Sequence, residues 1–570
     1  MAEHKNVITR LQTRIADWQN IRRIRRVASQ VAANARPATG QQPVIFFNAS
    51  ARLEGLSQNA AFSLLSSWSL RLAGVRVIHF VSRAGMSRCV LGTNRSDFSK
   101  EPPCERCYAQ SDLIYSGAER REFTFQRDPH LEAALQGLSL DELSRFEYPL
   151  PSLPEGSPGI PLGELIIPSM RWVLRRHHLP DDEPTRFLFR EYILSAYHVA
   201  REFLALVQEV NPAAAVVFNG IMYPEATVKW VARQSGVRVI THEIGFQRFS
   251  AFFTEGEATA YPLHIPDEFE LSDVQNQRLN DYLENRFQGK FTMAGIRFWP
   301  EMRGLDDDFL KRAAQFKQIV PVFTNVVFDT SQVHANTVFP DMFAWLDLVL
   351  EVIRSHPETL FVIRAHPDEM RPGTRKKSNE SVQEWVERNG VSELPNVVFI
   401  PPTEYISSYE LISKARFVMV YNSSIGLEAS LLGVAVVCGG KARYTQYPTV
   451  YFPSTADEYR RTVETFLNTT AGVEQGQPIP APEEFQRNAR RFLYYQFFRA
   501  SLPFSDYLES HNVPGFVRLR SFSWQCLLPE NSPALQVITA GILGKDPDQN
   551  ATFLLGDEDG PLHPTQARDH

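Results

Sequence analysis

Three short stretches in the second half of the chain concentrate residues able to hold an anion. They are Arg364-Ala365-His366-Pro367-Asp368-Glu369, Tyr421-Asn422-Ser423-Ser424-Ile425-Gly426-Leu427-Glu428 and Cys438-Gly439-Gly440-Lys441-Ala442-Arg443, and each follows an apolar run of strand type. In the second stretch two hydroxyls and a glycine stand where a strand turns into a helix. Backbone N–H groups and the Ser423 and Ser424 side chains then point at whatever sits above the helix N-terminus, the geometry of a phosphate cradle. Glu428 falls about one turn inside that helix, where a carboxylate can accept from the two hydroxyls of a ribose. Arg364 and His366 can each donate to a phosphate, and Lys441 and Arg443 add cations for a departing anion. The plainer reading is that Ser423 or Ser424 caps the helix and His366 is an ordinary loop histidine.

The first half offers candidates for a general base. Glu54, beside Gly55, lies in the loop after the first apolar run, and His242 and Glu243 end a later strand in Thr241-His242-Glu243-Ile244-Gly245. Either Glu54 or His242 could take a proton, with Glu243 as orienting partner. A histidine at a strand end can equally be held in place by hydrogen bonds alone. Cys89, Cys104 and Cys107 form a third cluster, the last two as a Cys-x-x-Cys knuckle. Structural zinc takes four ligands, so this set needs a further one such as His79, and no catalytic metal or other cofactor is called for.

These residues need elements to position them. Strands are expected at Val44 to Asn48, Val75 to Val81, Ala215 to Phe218 and Val237 to His242, with helices at Asn59 to Ala73, Arg186 to Val210 and Glu225 to Ser235. Loop-rich sequence from Gly85 to Pro161 interrupts them. A cleaner series follows at Ile319 to Val327, Leu360 to Ile363, Val397 to Ile400, Phe417 to Val420 and Ala435 to Val437. Runs this apolar suit strands buried on both faces of a parallel sheet, and ligands of such sheets bind beyond the carboxyl ends of the strands. The expected plan is a basic amphipathic helix and linker (1–42), an acceptor-side lobe (43–265), a helical connection (266–315), a nucleotide-binding lobe (316–470), and C-terminal helices with a disordered tail (471–570).

With 570 residues, 43% of them hydrophobic, the chain can build more than one core. Its net charge of −6 excludes a global field for nucleic acid. No uninterrupted apolar stretch reaches the roughly 18 residues needed to span a bilayer, and five cysteines do not make a secreted disulfide framework. A cytoplasmic location is expected. The basic first helix either packs on the body or touches the inner membrane surface peripherally.

The stretch from Phe323-Thr324-Asn325-Val326 through Arg364-Ala365-His366-Pro367-Asp368-Glu369 to Asn422-Ser423-Ser424-Ile425-Gly426-Leu427-Glu428 resembles the capsule polysaccharide biosynthesis proteins, which include bacterial Kdo transferases. The resemblance implies an α/β, GT-B-like fold of two Rossmann-like lobes facing a cleft, here with an N-terminal helix and a C-terminal helical extension. It implies a glycosyltransferase that moves a sugar from a nucleotide-sugar donor, with a lean towards a CMP-activated, Kdo-like one, to a surface-polysaccharide or glycolipid acceptor. His366 and the Ser423-Ser424 pair match the family's histidine-proline and paired-hydroxyl motifs. The chain departs from the family at Gly433-Val434-Ala435-Val436, where members often carry a proline. Two other classes share such an architecture: a nucleotide-sugar epimerase or hydrolase, and a non-catalytic sugar-binding assembly subunit.

Overall fold

The structure, a computed structural model, describes residues 2–36, 40–48, 55–153, 156–287, 302–370, 377–469, 477–545 and 551–557, with side chains from residue 13. Two α/β lobes result. In the first, seven strands lie in the order Leu502–Pro503, Ser250–Thr254, Arg238–Ile244, Ala214–Phe218, Val44–Phe47, Val77–Ser82, Glu119–Phe123. The five from Arg238–Ile244 onward are parallel, and Ser250–Thr254 and Leu502–Pro503 add an antiparallel edge. Alternation along Val44–Phe47 divides the core: Val44 and Phe46 pack on one face of the sheet, Ile45 and Phe47 on the other.

The second lobe is a fully parallel sheet in the order Val397–Ile400, Thr359–Arg364, Gln318–Phe323, Val418–Val420, Val436–Cys438. The chain reverses direction between Gln318–Phe323 and Val418–Val420, and the crevice at such a switch point is where open α/β sheets bind ligands. Every residue of Thr359–Arg364 is buried, with Leu360 and Val362 facing one core and Phe361 and Ile363 the other. Helix Met342–Ser355 follows the switch-point loop because Asp341 caps it, accepting from the Phe343 and Ala344 N–H groups. This pair of lobes is the expected GT-B-like architecture.

Three features differ from the sequence expectation. The region 85–161 is more than loop: it contains helix Cys104–Ile114 and strand Glu119–Phe123. That strand's Glu-Arg-Arg-Glu sequence hides it, because an edge strand with both faces in solvent has no apolar alternation to betray it. Helix Asp273–Phe287 is no separate connection, since Leu279, Tyr282 and Leu283 pack in the second-lobe core.

The chain beyond 471 is no mere appendage either. After helix Glu483–Tyr494 it crosses back, adds Leu502–Pro503 to the first sheet, pairs Phe516–Leu519 with Leu56–Ser57, and lays helix Pro533–Ile542 on helix Gln58–Leu72. Phe553 and Leu555 complete the same core.

The N-terminal helix Ala2–Asn34 packs on the first lobe through Ile24, Val27, Ala28 and Val31. Arg23 donates to Glu509 at 2.7 Å, and Asp17 pairs with Arg518 at 2.8 Å. Ile15 and Trp18 stay exposed on the same helix. Among the described residues no helix is long and apolar enough to cross a membrane.

Candidate functional site

The carboxyl ends of the two sheets face each other. On the first lobe Glu243 sits at the end of Arg238–Ile244, half-buried, with Asn219 at the end of the neighbouring strand and Asn59 in the first turn of helix Gln58–Leu72. The Glu243 carboxylate accepts from Asn219 Nδ2 at 3.2 Å, Asn59 Nδ2 at 3.4 Å and the Ile244 N–H at 2.9 Å. Burial raises its pKa, and these donors together with the nearby Arg443 guanidinium of the second lobe oppose the rise. Arg443 crosses the cleft over the rings of Phe246 (5.3 Å) and Tyr261 (5.4 Å).

His242 does not join them. It points into the core, 1% exposed and stacked on Phe253 with centroids 5.0 Å apart, and burial drives its pKa to about 3. A buried neutral imidazole does not meet an acceptor in the cleft, whereas Glu243 stands at its edge. Glu54 lies outside the described residues. Asn59 and Asn219 went unread in the sequence, although Phe218-Asn219-Gly220 at a strand end was a signal for the second.

On the second lobe the structure sorts the expected anion ligands. Ser424 is exposed at the first turn of helix Ile425–Leu431 and makes no side-chain cap bond, whereas Ser423 is buried and its carbonyl accepts from Tyr444 Oη at 2.7 Å. Asn422 sits at the switch point, where its Oδ1 accepts from Asn325 Nδ2 (2.7 Å) and Gln332 Nε2 (3.1 Å). His366 caps the turn Pro367–Glu369: its Nδ1 accepts from the Asp368 N–H at 3.1 Å, which leaves the hydrogen on Nε2. Lys441 is exposed on the loop after Val436–Cys438.

Three expected ligands are structural instead. Arg364 is 4% exposed, donates to the Ile406 carbonyl, and has its pKa lowered to about 10 by burial. Glu428 is 5% exposed and its two oxygens are taken by Arg286 and Tyr409, each at 2.5 Å. Gly426 is small because Tyr444 packs on it, a Cβ there lying 2.4 Å from the Tyr444 hydroxyl, so its role is packing and not close approach to a phosphate.

The two lobes are tied at both rims of the cleft. On one rim Thr259 Oγ1 meets His334 Nε2 at 2.8 Å, and the Ile265 N–H donates to Tyr447 Oη at 2.7 Å. On the other, the Asn379 N–H donates to the Arg175 carbonyl at 2.8 Å, and Glu380 accepts from the His177 and His178 N–H groups at 2.8 and 2.9 Å.

Residues 271–448, which hold every second-lobe loop described above, match the family described as capsule polysaccharide biosynthesis protein. The likeness to that family is confined to this segment, under half of the chain. Protein FixF of Sinorhizobium fredii is 31% identical to the chain over 104 residues, a match that spans 18% of this chain and about a fifth (22%) of that protein. Among solved structures, Thermosulfurimonas dismutans KpsC, titled a beta Kdo 2,7 transferase, is 16% identical with a TM-score of 0.32, covering 56% of this chain and 85% of that one. A UDP-GlcNAc 2-epimerase from Neisseria meningitidis is 12% identical with a TM-score of 0.24, covering 58% and 88%. Likenesses this loose say nothing about the chemistry.

Two further clusters lie away from the second-lobe strand ends. The thiols of Cys89, Cys104 and Cys107 share one region, but among the described residues the one group of three His, Cys, Asp or Glu whose ligating atoms all lie within 4.8 Å of one another is His177, His178 and Asp341. His79, the expected fourth zinc ligand, is instead buried against Tyr115 with ring centroids 4.2 Å apart. A recess of about 590 Å³ between Leu135 and Leu194 is lined by charges that are already paired: Glu183 with Arg186 and Arg190 within the wall, and Glu191 with Arg127 outside it.

Proposed function

We propose that the chain is a glycosyltransferase that moves a sugar from a nucleotide-sugar donor, most simply a cytidylyl one, to a glycan or glycolipid acceptor. The observation that carries this reading is the Glu243 carboxylate, held by Asn59 and Asn219 at one strand edge and facing Arg443 from the other. The acceptor hydroxyl gives its proton to Glu243 as its oxygen attacks the anomeric carbon, and the bond from that carbon to the phosphate oxygen breaks. A carboxylate whose pKa is raised is a better match to a hydroxyl at neutral pH than an ordinary one.

The negative charge that grows on the leaving phosphate needs fixed donors. Ser424, His366, Lys441 and Arg443 are the groups we assign to it, with Asn422 and Asn325 setting the floor of the crevice. Most of the gain comes from holding donor and acceptor in register between the lobes. The exposed Ile15 and Trp18, flanked by Arg14 and Arg22, suit peripheral contact with the inner face of a membrane carrying a lipid-linked acceptor.

Calorimetric titration of the purified chain with CMP, CDP, UDP, GDP and ADP tests the donor side, since a bound nucleotide also raises stability by mass action. One nucleotide should stand out and be weakened in Ser424→Ala. Silence from all five would overturn the reading, and turnover of a nucleotide sugar with no acceptor added would move the chain to the epimerase or hydrolase class.

A further inference from the structure

Arg175 is the most anomalous charge in the cleft wall. It ends helix Leu162–Leu174 in a left-handed conformation (φ 58°) that side-chain-bearing residues seldom adopt, and such backbone is retained where the surroundings require it. Its side chain lies between the lobes, over Trp172 of the first at 4.4 Å and over Phe328 of the switch-point loop at 4.8 Å. The residue is 5% exposed, yet Nε and Nη1 have no hydrogen-bond partner among the described residues.

Guanidinium groups withdrawn from water are ordinarily paired, and a buried N–H without an acceptor calls for an explanation. A second guanidinium, Arg95, lies over the same Trp172 ring at 4.9 Å. Two like charges on one indole repel, and burial and Arg95 together lower the Arg175 pKa to about 9. The nearby carboxylate is Asp329, which is exposed and takes the Ser331 hydroxyl at 2.7 Å without bonding Arg175. The Arg175 carbonyl, by contrast, is fully engaged by Asn379 and Ser378, so the backbone is fixed while the fork is left open.

We propose that Arg175, with Arg95 beside it, is an oxyanion subsite in the cleft that binds a carboxylate or phosphate group of a ligand. A planar fork whose Nε and Nη1 are both available fits two oxygens of one such group side by side. Trp172 and Phe328 wall the subsite with apolar surface and exclude the water that would otherwise satisfy the fork. The subsite deepens the reading of the cleft as a donor and acceptor site, and it accounts for why a first-lobe arginine reaches the switch-point loop of the second. The group it holds is either a sugar carboxylate or a phosphate, because the two offer the same pair of oxygens.

The full chain is titrated calorimetrically with inorganic phosphate, pyrophosphate, glucuronate and N-acetylneuraminate, alongside Arg175→Gln, Arg175→Lys and Asn379→Ala. At least one oxyanion should bind the parent chain saturably, bind Arg175→Gln at least tenfold more weakly, and bind Arg175→Lys with an intermediate loss, since the charge stays while the fork goes. Binding of sugar acids alone assigns the group to a carboxylate, and binding of phosphates alone to a phosphate. Asn379→Ala, which removes the Asn379 Nδ2 bond to the Leu174 carbonyl at the same rim without touching the guanidinium, should bind like the parent. Equal affinity of the parent and Arg175→Gln for every probe, or a loss in Asn379→Ala as large as in Arg175→Gln, would overturn the proposal. An oxyanion that binds through Arg175 while no nucleotide binds would leave this subsite standing and remove the donor reading; the reverse pattern would do the opposite.

Discussion

Replacing Glu428 separates two accounts of the second lobe. If Glu428 belongs to a buried pair, Glu428→Leu leaves the Arg286 guanidinium, 8% exposed, without its carboxylate, and Tyr409 loses its acceptor. Breaking a buried pair by removing one partner costs about 3–5 kcal/mol, whereas replacing both by apolar groups of similar volume is close to neutral. A lobe of this size loses about 2–4 °C of unfolding midpoint per kcal/mol, so the single variant should unfold about 6–20 °C lower. The double variant Glu428→Leu with Arg286→Met should recover most of that loss. Scanning calorimetry of the four proteins closes the cycle, and nucleotide titration runs beside it. The pairing account fails if Glu428→Leu keeps the parent midpoint but loses nucleotide affinity, the behaviour of a carboxylate bound to a ribose.

Other outcomes follow from the same geometry. Glu243→Gln keeps the side chain's shape and can still accept from Asn59 or from Asn219, though not from both, and it cannot take a proton, so turnover should fall by about 10²–10⁴ with nucleotide affinity unchanged, as steady-state kinetics and calorimetry would read. Glu369 is buried and its pKa is raised to about 8, so its ionisation opposes folding as pH climbs from the ordinary carboxyl range to 8. Glu369→Gln should remove that loss, a gain of up to about 4–5 kcal/mol above pH 8 and little at pH 4.5, measured by denaturant unfolding across pH. His242, at about 3, binds its proton only on unfolding, so the parent should lose stability as pH falls below 6.5. His242→Phe should flatten that slope by up to about 1.4 kcal/mol per pH unit and leave turnover intact; lost turnover with the fold preserved would restore His242 as a base.

The parallel strands were legible because strands buried on both faces must be apolar throughout, and Leu360 to Ile363 can hardly be anything else. Glu119–Phe123 was not, since solvent on both faces leaves its composition free. At the site, loop position could be read but side-chain direction could not. Ser424 and His366 fall where the strand ends require, yet Arg364 and Glu428 are as near in sequence and turn inward to partners, Ile406 and Arg286, more than 40 and 140 residues away. Likewise the adjacent pair His242 and Glu243 take opposite sides of one strand, and which side meets the cleft depends on a sheet that the local sequence does not reveal.

The return of the C-terminal segment to the first lobe has a consequence for how the protein is made. Helix Gln58–Leu72 leaves the ribosome well before the helix that covers it, Pro533–Ile542. At about 5–20 residues per second, roughly 20 seconds or more pass with that apolar surface uncovered, and roughly 10 seconds or more with the sheet edge at Ser250–Thr254 open. During that interval the second lobe, whose sheet is contiguous in sequence, can already be folded. Synthesis therefore runs inside out for this molecule, and the newborn chain has reason to engage holding chaperones until Leu502–Pro503 and Pro533–Ile542 arrive.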